Sequence, residues 1–494
     1  MIKLKLLSTL AVILLGGYHT ISAQTTPSGS TEIRLKLSPT LSDTALSGRV
    51  YVMLDRNVYA QPLHSEMPDE SSIWLAVDVD NWIPGTDFTM AGDISAYPCS
   101  LAELPAGDYA AQAVFDVNTT ERSFSDAPGN IFSNAVAASI RSSGNNFIDI
   151  SLEHEVEVGA VHETGFIKEV RLGSRLLSDF LGRPTSVKAM VVLPPSYFHT
   201  PEQEYATVFV MPGFGSPYTE ILRGDFQLHR YGMNSVGREK IFVFLDQECP
   251  LGYHGFADSE NNGPWAGALF EEFIPHLEKT FRMYRDPSAR FLTGQSSGAW
   301  AGLWLQLNYP EEFGGVWACS PDPVDFEAFM GVNIYKPNAN LLFDSTGAPI
   351  ELNKFLSDVD RVVGDGWVMS TFEAVFSPRG EDGRPLRLWN RETGEIDARV
   401  AATWRKYDLR LILQNNWNEL APKLAGKIHI LVADNDSFGL DVPVKSLQQA
   451  MAGVNHDMEV VILDEGAHDL WTGELRRRLH QDMDDRIARN HPAP

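Results

Sequence analysis

The chain has 494 residues, of which 44% are hydrophobic and 10% aromatic, enough for packed cores and against a globally disordered protein. That length predicts two or three domains rather than one. A formal net charge of −25 gives a surface that repels phosphate backbones, which argues against nucleic acid as a partner.

At the N-terminus, Lys3 and Lys5 precede an apolar run from Leu6 to Leu15, and Ile21-Ser22-Ala23 offers a small residue before a cut. This is the pattern of a secretory signal over residues 1–23, with the mature chain starting near Gln24 and a secreted or periplasmic destination. The run is short for a membrane span and none follows, so no span is expected. Residues 24–155 read as a small all-β sandwich. "EIRLKLS" (32–38) alternates Ile33, Leu35 and Leu37, and "RVYVMLD" (49–55), "SIWLAVDV" (72–79), "DYAAQAVFDV" (108–117) and "NFIDISLE" (146–153) continue the strand pattern between turns. No reactive constellation stands out there, so a packing or carbohydrate-contacting accessory domain is expected. Cys99, Cys249 and Cys319 allow at most one disulfide and lack the spacing of a metal site. Neither a metal nor an organic cofactor is implied.

From about residue 165 the pattern changes. Short apolar runs at 187–193, 206–211, 241–245, 290–293, 315–320, 427–433 and 459–463 suit strands covered on both faces. Helical stretches lie between several of them. "WAGALFEEFIPHLEKTF" (265–281) contains Pro275, which predicts a kink, and "GAWAGLWLQLNY" (298–309) stops before Pro310. Alternation of this kind predicts an α/β domain over 165–494, a doubly wound and mostly parallel sheet whose ligands bind at the strands' carboxyl ends. The hundred or so residues before the strand at 427 exceed a crossover and predict an inserted cap at about 326–418.

"TGQSSGAWAG" (293–302) places Ser296 at the centre of a G-x-S-x-G match between a predicted strand and a predicted helix. That setting makes the match informative: a serine on a sharp turn, glycines where side chains would collide, and a helix N-terminus to favour an oxyanion. Ser297 would then supply a backbone N–H to that oxyanion. In this class of sheet the acid and the base follow the serine. His468, in "ILDEGAHDLW" (462–471), directly follows a strand and is the predicted base, whereas His429 lies within a strand and His456 precedes one. For the acid, Asp436 is preferred in "ADNDSFGLD" (433–441), with Asp434, Asp441 and Asp322 as alternatives. "MPGFGS" (211–216) is the predicted source of the second oxyanion donor, the Phe214 N–H. Tyr253, His254, Asp258 and Trp265, in "GYHGFADSENNGPW" (252–265), are predicted to line the pocket.

Across about 165–494 these blocks, with "VVLPPSY" (191–197), "FEEFIPHLEKTFRM" (270–283) and the rather specific "YPEEFGG" (309–315), resemble the putative-esterase family of α/β-hydrolases, which includes esterase D-type, enterochelin and feruloyl esterases and the related mycolyltransferases. The resemblance implies Ser296 as nucleophile, His468 as base and an acid in the Asp436 region. Where members often carry His-Gly, this chain has Pro212-Gly213. The expectation is a secreted serine esterase acting on a small-molecule or carbohydrate-linked ester. The alternatives are a peptidase or acyltransferase with the same triad, or a non-catalytic binding protein on a hydrolase scaffold.

Overall fold

An eight-stranded sheet organises the C-terminal two-thirds of the chain. The computed structural model describes residues 30–491 apart from 66, 70, 158, 160–162, 224–236, 465 and 471–472, so the predicted signal segment lies outside the described residues. The strands are β1 (Ile167–Gly173), β2 (Ser186–Val192), β3 (Thr207–Met211), β4 (Ile241–Leu245), β5 (Arg290–Ser296), β6 (Gly315–Pro321), β7 (Ile428–Ala433) and β8 (Glu459–Leu463). Their spatial order is β1-β2-β4-β3-β5-β6-β7-β8. The β1–β2 and β2–β4 pairings are antiparallel and all the others parallel.

The continuous apolar runs are explained by cover on both faces. Period two sends Phe209, Val243, Leu292 and Val316 to one face, where they share a core with the helix Ser297–Asn308. The same alternation sends Val208, Phe242, Phe291 and Trp317 to the other, against Leu479, Met483 and Ile487 of the helix Gly473–Asn490. Each such side chain contributes about 1.5–3 kcal/mol when fully buried. The helix over 265–280 widens to a π-turn at Ala268–Phe273, just before Pro275. Proline has no N–H to donate and its ring crowds the carbonyl four residues back, so the wider turn accommodates it.

Residues 31–155 carry nine strands joined in one hydrogen-bonded sheet. It folds over so that Ile33, Val52, Leu75, Phe115 and Ile150, from strands far apart in the sheet, share a single core. Strands Leu46–Asp55, Ser72–Trp82 and Gly107–Asp116 are buried on both faces, because Tyr51, Met53, Trp74, Ala76 and Val114 on the reverse side join the core of the eight-stranded-sheet region. The docking is polar as well. Tyr51 Oη donates to the Val363 carbonyl at 2.6 Å, and Arg49 to the Val362 and Arg361 carbonyls at 3.1 and 3.2 Å. Those carbonyls end the helix Glu351–Val363 and have no acceptor role within it.

That helix belongs to the segment between β6 and β7, with Val368–Phe376 and Ala398–Trp404. The next helix, Leu409–Leu424, packs on Ser297–Asn308 as the crossover to β7. The added residues therefore end near 408, about ten short of the expected boundary, because 409–424 belongs to the sheet's own layers. The cap is tied internally by Glu373, fully buried, which accepts from Arg391 at 2.6 and 3.0 Å, Arg387 at 2.9 Å and the Leu388 N–H at 2.6 Å.

Candidate active site

Ser296 is the last residue of β5 and the N-cap of the helix Ser297–Asn308, with φ 56° and ψ −125°. A left-handed φ on a residue with a Cβ costs of order 1–3 kcal/mol and persists only where surroundings enforce it. The surroundings do. A Cβ on Gly298 would lie 2.0 Å from the Met211 carbonyl oxygen, and one on Gly294 would lie 2.5 Å from the Gly298 carbonyl. The turn is thus pressed between the end of β3 and its own helix. Ser297 begins that helix, so its N–H is one of those with no intrahelical acceptor.

Four more strand ends converge on this turn. Asp322 follows β6, and its N–H donates to the Ser296 carbonyl at 3.2 Å. Its carboxylate accepts from both serines, Ser296 Oγ at 3.1 Å and Ser297 Oγ at 2.7 Å. Beyond β7 and β8, Asp436 and His468 meet, with Nδ1 of the imidazole 2.8 Å from Oδ2. An ionised carboxylate only accepts, so Nδ1 carries the proton and Nε2 is left as a base. The His468 carbonyl accepts from Gln295 Nε2 at 2.9 Å and Ser320 Oγ at 3.1 Å, and Phe438 packs on its ring at 4.8 Å. Among the described residues Ser296 Oγ donates to Asp322 and not to His468.

The two buried carboxylates are displaced in opposite directions. Burial pushes Asp436 up, but the His468 hydrogen bond and charge, with the Phe438 and Leu440 amides, outweigh it and hold the carboxyl below its usual range. At Asp322 burial is the largest influence and Asp436 adds to it. Together they outweigh the serine hydroxyls and His468, and the carboxyl lies above its usual range. The other candidate acids lie elsewhere: Asp434 and Asp441 both pair with Lys445, at 2.5 and 2.7 Å.

The site opens into a cavity of about 1160 Å³ lined by Ser296, Ser297, His468, Phe214 and Trp265. The Phe214 N–H has no hydrogen-bond acceptor among the described residues. Its loop is held by Gln247 Nε2 donating to the Pro212 carbonyl at 2.7 Å and Tyr253 Oη donating to the Gly213 carbonyl at 2.7 Å. Tyr253 and His254 are therefore corrections to the expected pocket lining. Both are buried behind it, Tyr253 as this brace and His254 stacked 3.6 Å from the Trp265 ring. Burial holds His254 well below its usual pKa, hence neutral. Asp258 is not at the cavity either; it accepts from the Ala266 N–H at 2.9 Å and caps the helix over 265–280.

Two walls of the cavity were not anticipated. One comes from the cap, with Met330, Trp367, Val368 and Phe372, and one from residues 118–126 of the N-terminal sheet region. In "NTTERSFSD" no periodic pattern marks a functional segment, and only the tertiary fold brings it to the serine.

Residues 181–468 match the family model described as Putative esterase. No curated protein matches the chain. Among solved structures the chain is similar to fluorophosphonate-binding serine hydrolase F of Staphylococcus aureus, at 11% identity over 64% of this chain and 98% of that one, TM-score 0.40. It is also similar to a ferulic acid esterase of Anaeromyces mucronatus, at 15% identity over 64% and 89%, TM-score 0.34. An S-formylglutathione hydrolase of Agrobacterium tumefaciens is similar at 15% identity over 66% and 95%, TM-score 0.37.

Proposed function

We propose that this chain, which belongs to the putative esterase family, has an α/β-hydrolase fold and is a carboxylic ester hydrolase, cleaves its ester through an acyl-enzyme on Ser296. The observation that carries the reading is the His468–Asp436 hydrogen bond of 2.8 Å at the strand ends beside the strained Ser296 turn. A rotation about the serine's Cα–Cβ bond moves Oγ from Asp322 toward His468 Nε2, which takes its proton as Oγ attacks the ester carbonyl. Asp436 stabilises the imidazolium and fixes its tautomer. The N–H groups of Ser297 and Phe214, neither committed elsewhere, stabilise the tetrahedral oxyanion. His468 returns the proton to the leaving alcohol, and water then releases the acid by the same route.

The substrate is a small-molecule or carbohydrate-linked ester. A cavity of about 1160 Å³ is roomy for a drug-sized molecule and suits an ester with bulk on both sides of the scissile bond. Export through the N-terminal segment is part of the same reading, and N-terminal sequencing of the mature protein near Gln24 tests it.

The decisive experiment is labelling with a fluorophosphonate probe. The native protein labels stoichiometrically and Ser296→Ala does not. Equal labelling of both, or none of the native protein, overturns the mechanism.

A further inference from the structure

Residues 117–130 of the N-terminal sheet region form an ordered loop. Asn118 Oδ1 accepts from the Thr120 and Glu121 N–H groups at 2.6 and 3.1 Å, while its Nδ2 donates to the Pro128 carbonyl at 2.8 Å. Phe124 anchors the loop to its own sheet, 4.7 Å from the Tyr51 ring and edge-on to Trp74 at 5.8 Å. The loop's tip reaches the catalytic region. Glu121 pairs with Lys188 on β2 at 3.5 Å, and Arg122 Nη2 with Glu248 at 2.7 Å.

Arg122 does more than pair. Its guanidinium lies 4.6 Å over the Phe214 ring and 5.8 Å from the Tyr253 ring. Those two rings are 5.1 Å apart, and Tyr253 holds the Gly213 carbonyl. Glu248, which orients the guanidinium, sits opposite Tyr253 in the small hairpin 248–253. The cap closes the other side: a Cβ on Gly366 would lie 3.3 Å from Arg122 Cγ. The loop carrying the Phe214 N–H is thus clamped from above by a side chain of a different domain.

We infer that Arg122 is a positioning residue for the oxyanion-binding loop, so that the N-terminal domain completes the catalytic site of this enzyme. The inference rests on Phe214 being an oxyanion donor. The physical reason is alignment. Gly213 and Phe214 have no regular secondary structure, and an oxyanion donor displaced by about 1 Å loses much of its stabilisation. A planar cation stacked on Phe214 and fixed by Glu248 restricts that displacement, which an ammonium cannot do equally well.

The test uses the full chain and its Arg122→Gln and Arg122→Lys variants. Readouts are kcat and KM on a p-nitrophenyl ester, affinity for an aryl boronic acid that mimics the tetrahedral state, and fluorophosphonate labelling. Arg122→Gln lowers kcat about tenfold or more, with boronate affinity falling in proportion and KM changing less. Arg122→Lys behaves more like Arg122→Gln than like the native protein, and free methylguanidinium partly restores Arg122→Gln. Glu248→Gln, which frees the guanidinium without deleting it, shows a smaller loss in the same direction and stands in if Arg122→Gln does not fold. Native-like kcat in Arg122→Gln, or a loss of kcat with boronate affinity unchanged, overturns the inference. Loss of labelling in Ser296→Ala separates this from the nucleophile reading: if Ser296→Ala still labels, it is that reading which fails.

Discussion

The two sides of the cavity are built in different ways. The Ser296 side is backbone: five strand ends bring Phe214, Ser296, Asp322, Asp436 and His468 together, and glycines permit contacts that no Cβ would allow. The facing side is made of side chains from two additions to the sheet, the cap and the 117–130 loop, held by buried ion pairs and aromatic packing. The first sets what can be done to an ester. The second sets what reaches it and how steadily the loops are held. Perturbing the first side is expected to change kcat, and perturbing the cap to change stability and KM, whereas Arg122 of the 117–130 loop acts on kcat through the Phe214 loop that it holds.

The largest effects belong to the backbone side. Ser296→Ala is expected to reduce kcat by about 10⁶, and Asp436→Asn, which leaves His468 in the wrong tautomer, by about 10⁴. Ser296→Ala should unfold at a denaturant concentration close to the native one, and Asp436→Asn at a lower one at neutral pH, since it gives up the ionised carboxylate held by His468, measured by urea titration beside steady-state kinetics. An Asp436→Asn variant with near-native kcat would move the acid's role to Asp322.

On the facing side, Glu373→Gln is expected to cost about 3 kcal/mol, because it removes the fully buried charge shared by the largely buried Arg391 and the half-exposed Arg387. With Trp367 and Phe372 less well held, KM for a bulky ester should rise while kcat on a small acetate ester stays near native. Differential effects on the two esters are the readout. Equal loss on both would mean that the cap supports the Ser296 side as well.

This division also explains how much was legible beforehand. The strands of the catalytic sheet are visible in sequence because cover on both faces makes them apolar throughout, as in "IFVFL" (241–245). Ser296, Asp436 and His468 stand out as candidates in the sequence because each lies at the end of such a strand or a few residues beyond it. Tyr253 and His254 were misplaced because an aromatic loop reads alike whether it faces a cavity or braces it, and burial settles the matter only in three dimensions. The 117–130 loop was invisible for a related reason. Its importance lies in contacts with residues over a hundred positions away, such as Arg122 with Glu248, and no local pattern encodes them.

A smaller effect is expected from Tyr253→Phe, which keeps the ring on Phe214 and deletes only the hydroxyl donating to Gly213. One hydrogen bond contributes about 1 kcal/mol, so kcat should fall less than tenfold with stability lowered by a similar amount. No loss of kcat at all would mean that the loop over Ser296 is held without this brace.

The finest comparison lies within the Ser296 side, between its two carboxylates. Asp436 has a folded pKa below its unfolded value of about 3.9, so its stabilising contribution is present above that pH and is lost as pH falls through the lower folded value. Asp322 has a folded pKa above that value, so its contribution is present below about pH 3.9 and is lost as pH rises through the raised value. The two groups therefore tilt the stability curve in opposite senses. Relative to the native chain, Asp436→Asn should lose its deficit on acidification, whereas Asp322→Asn should gain stability as pH rises from about 4. Urea unfolding of the three proteins across this range measures both slopes. Slopes of the same sign would mean that the hydroxyls of Ser296 and Ser297 hold Asp322 ionised as firmly as His468 holds Asp436.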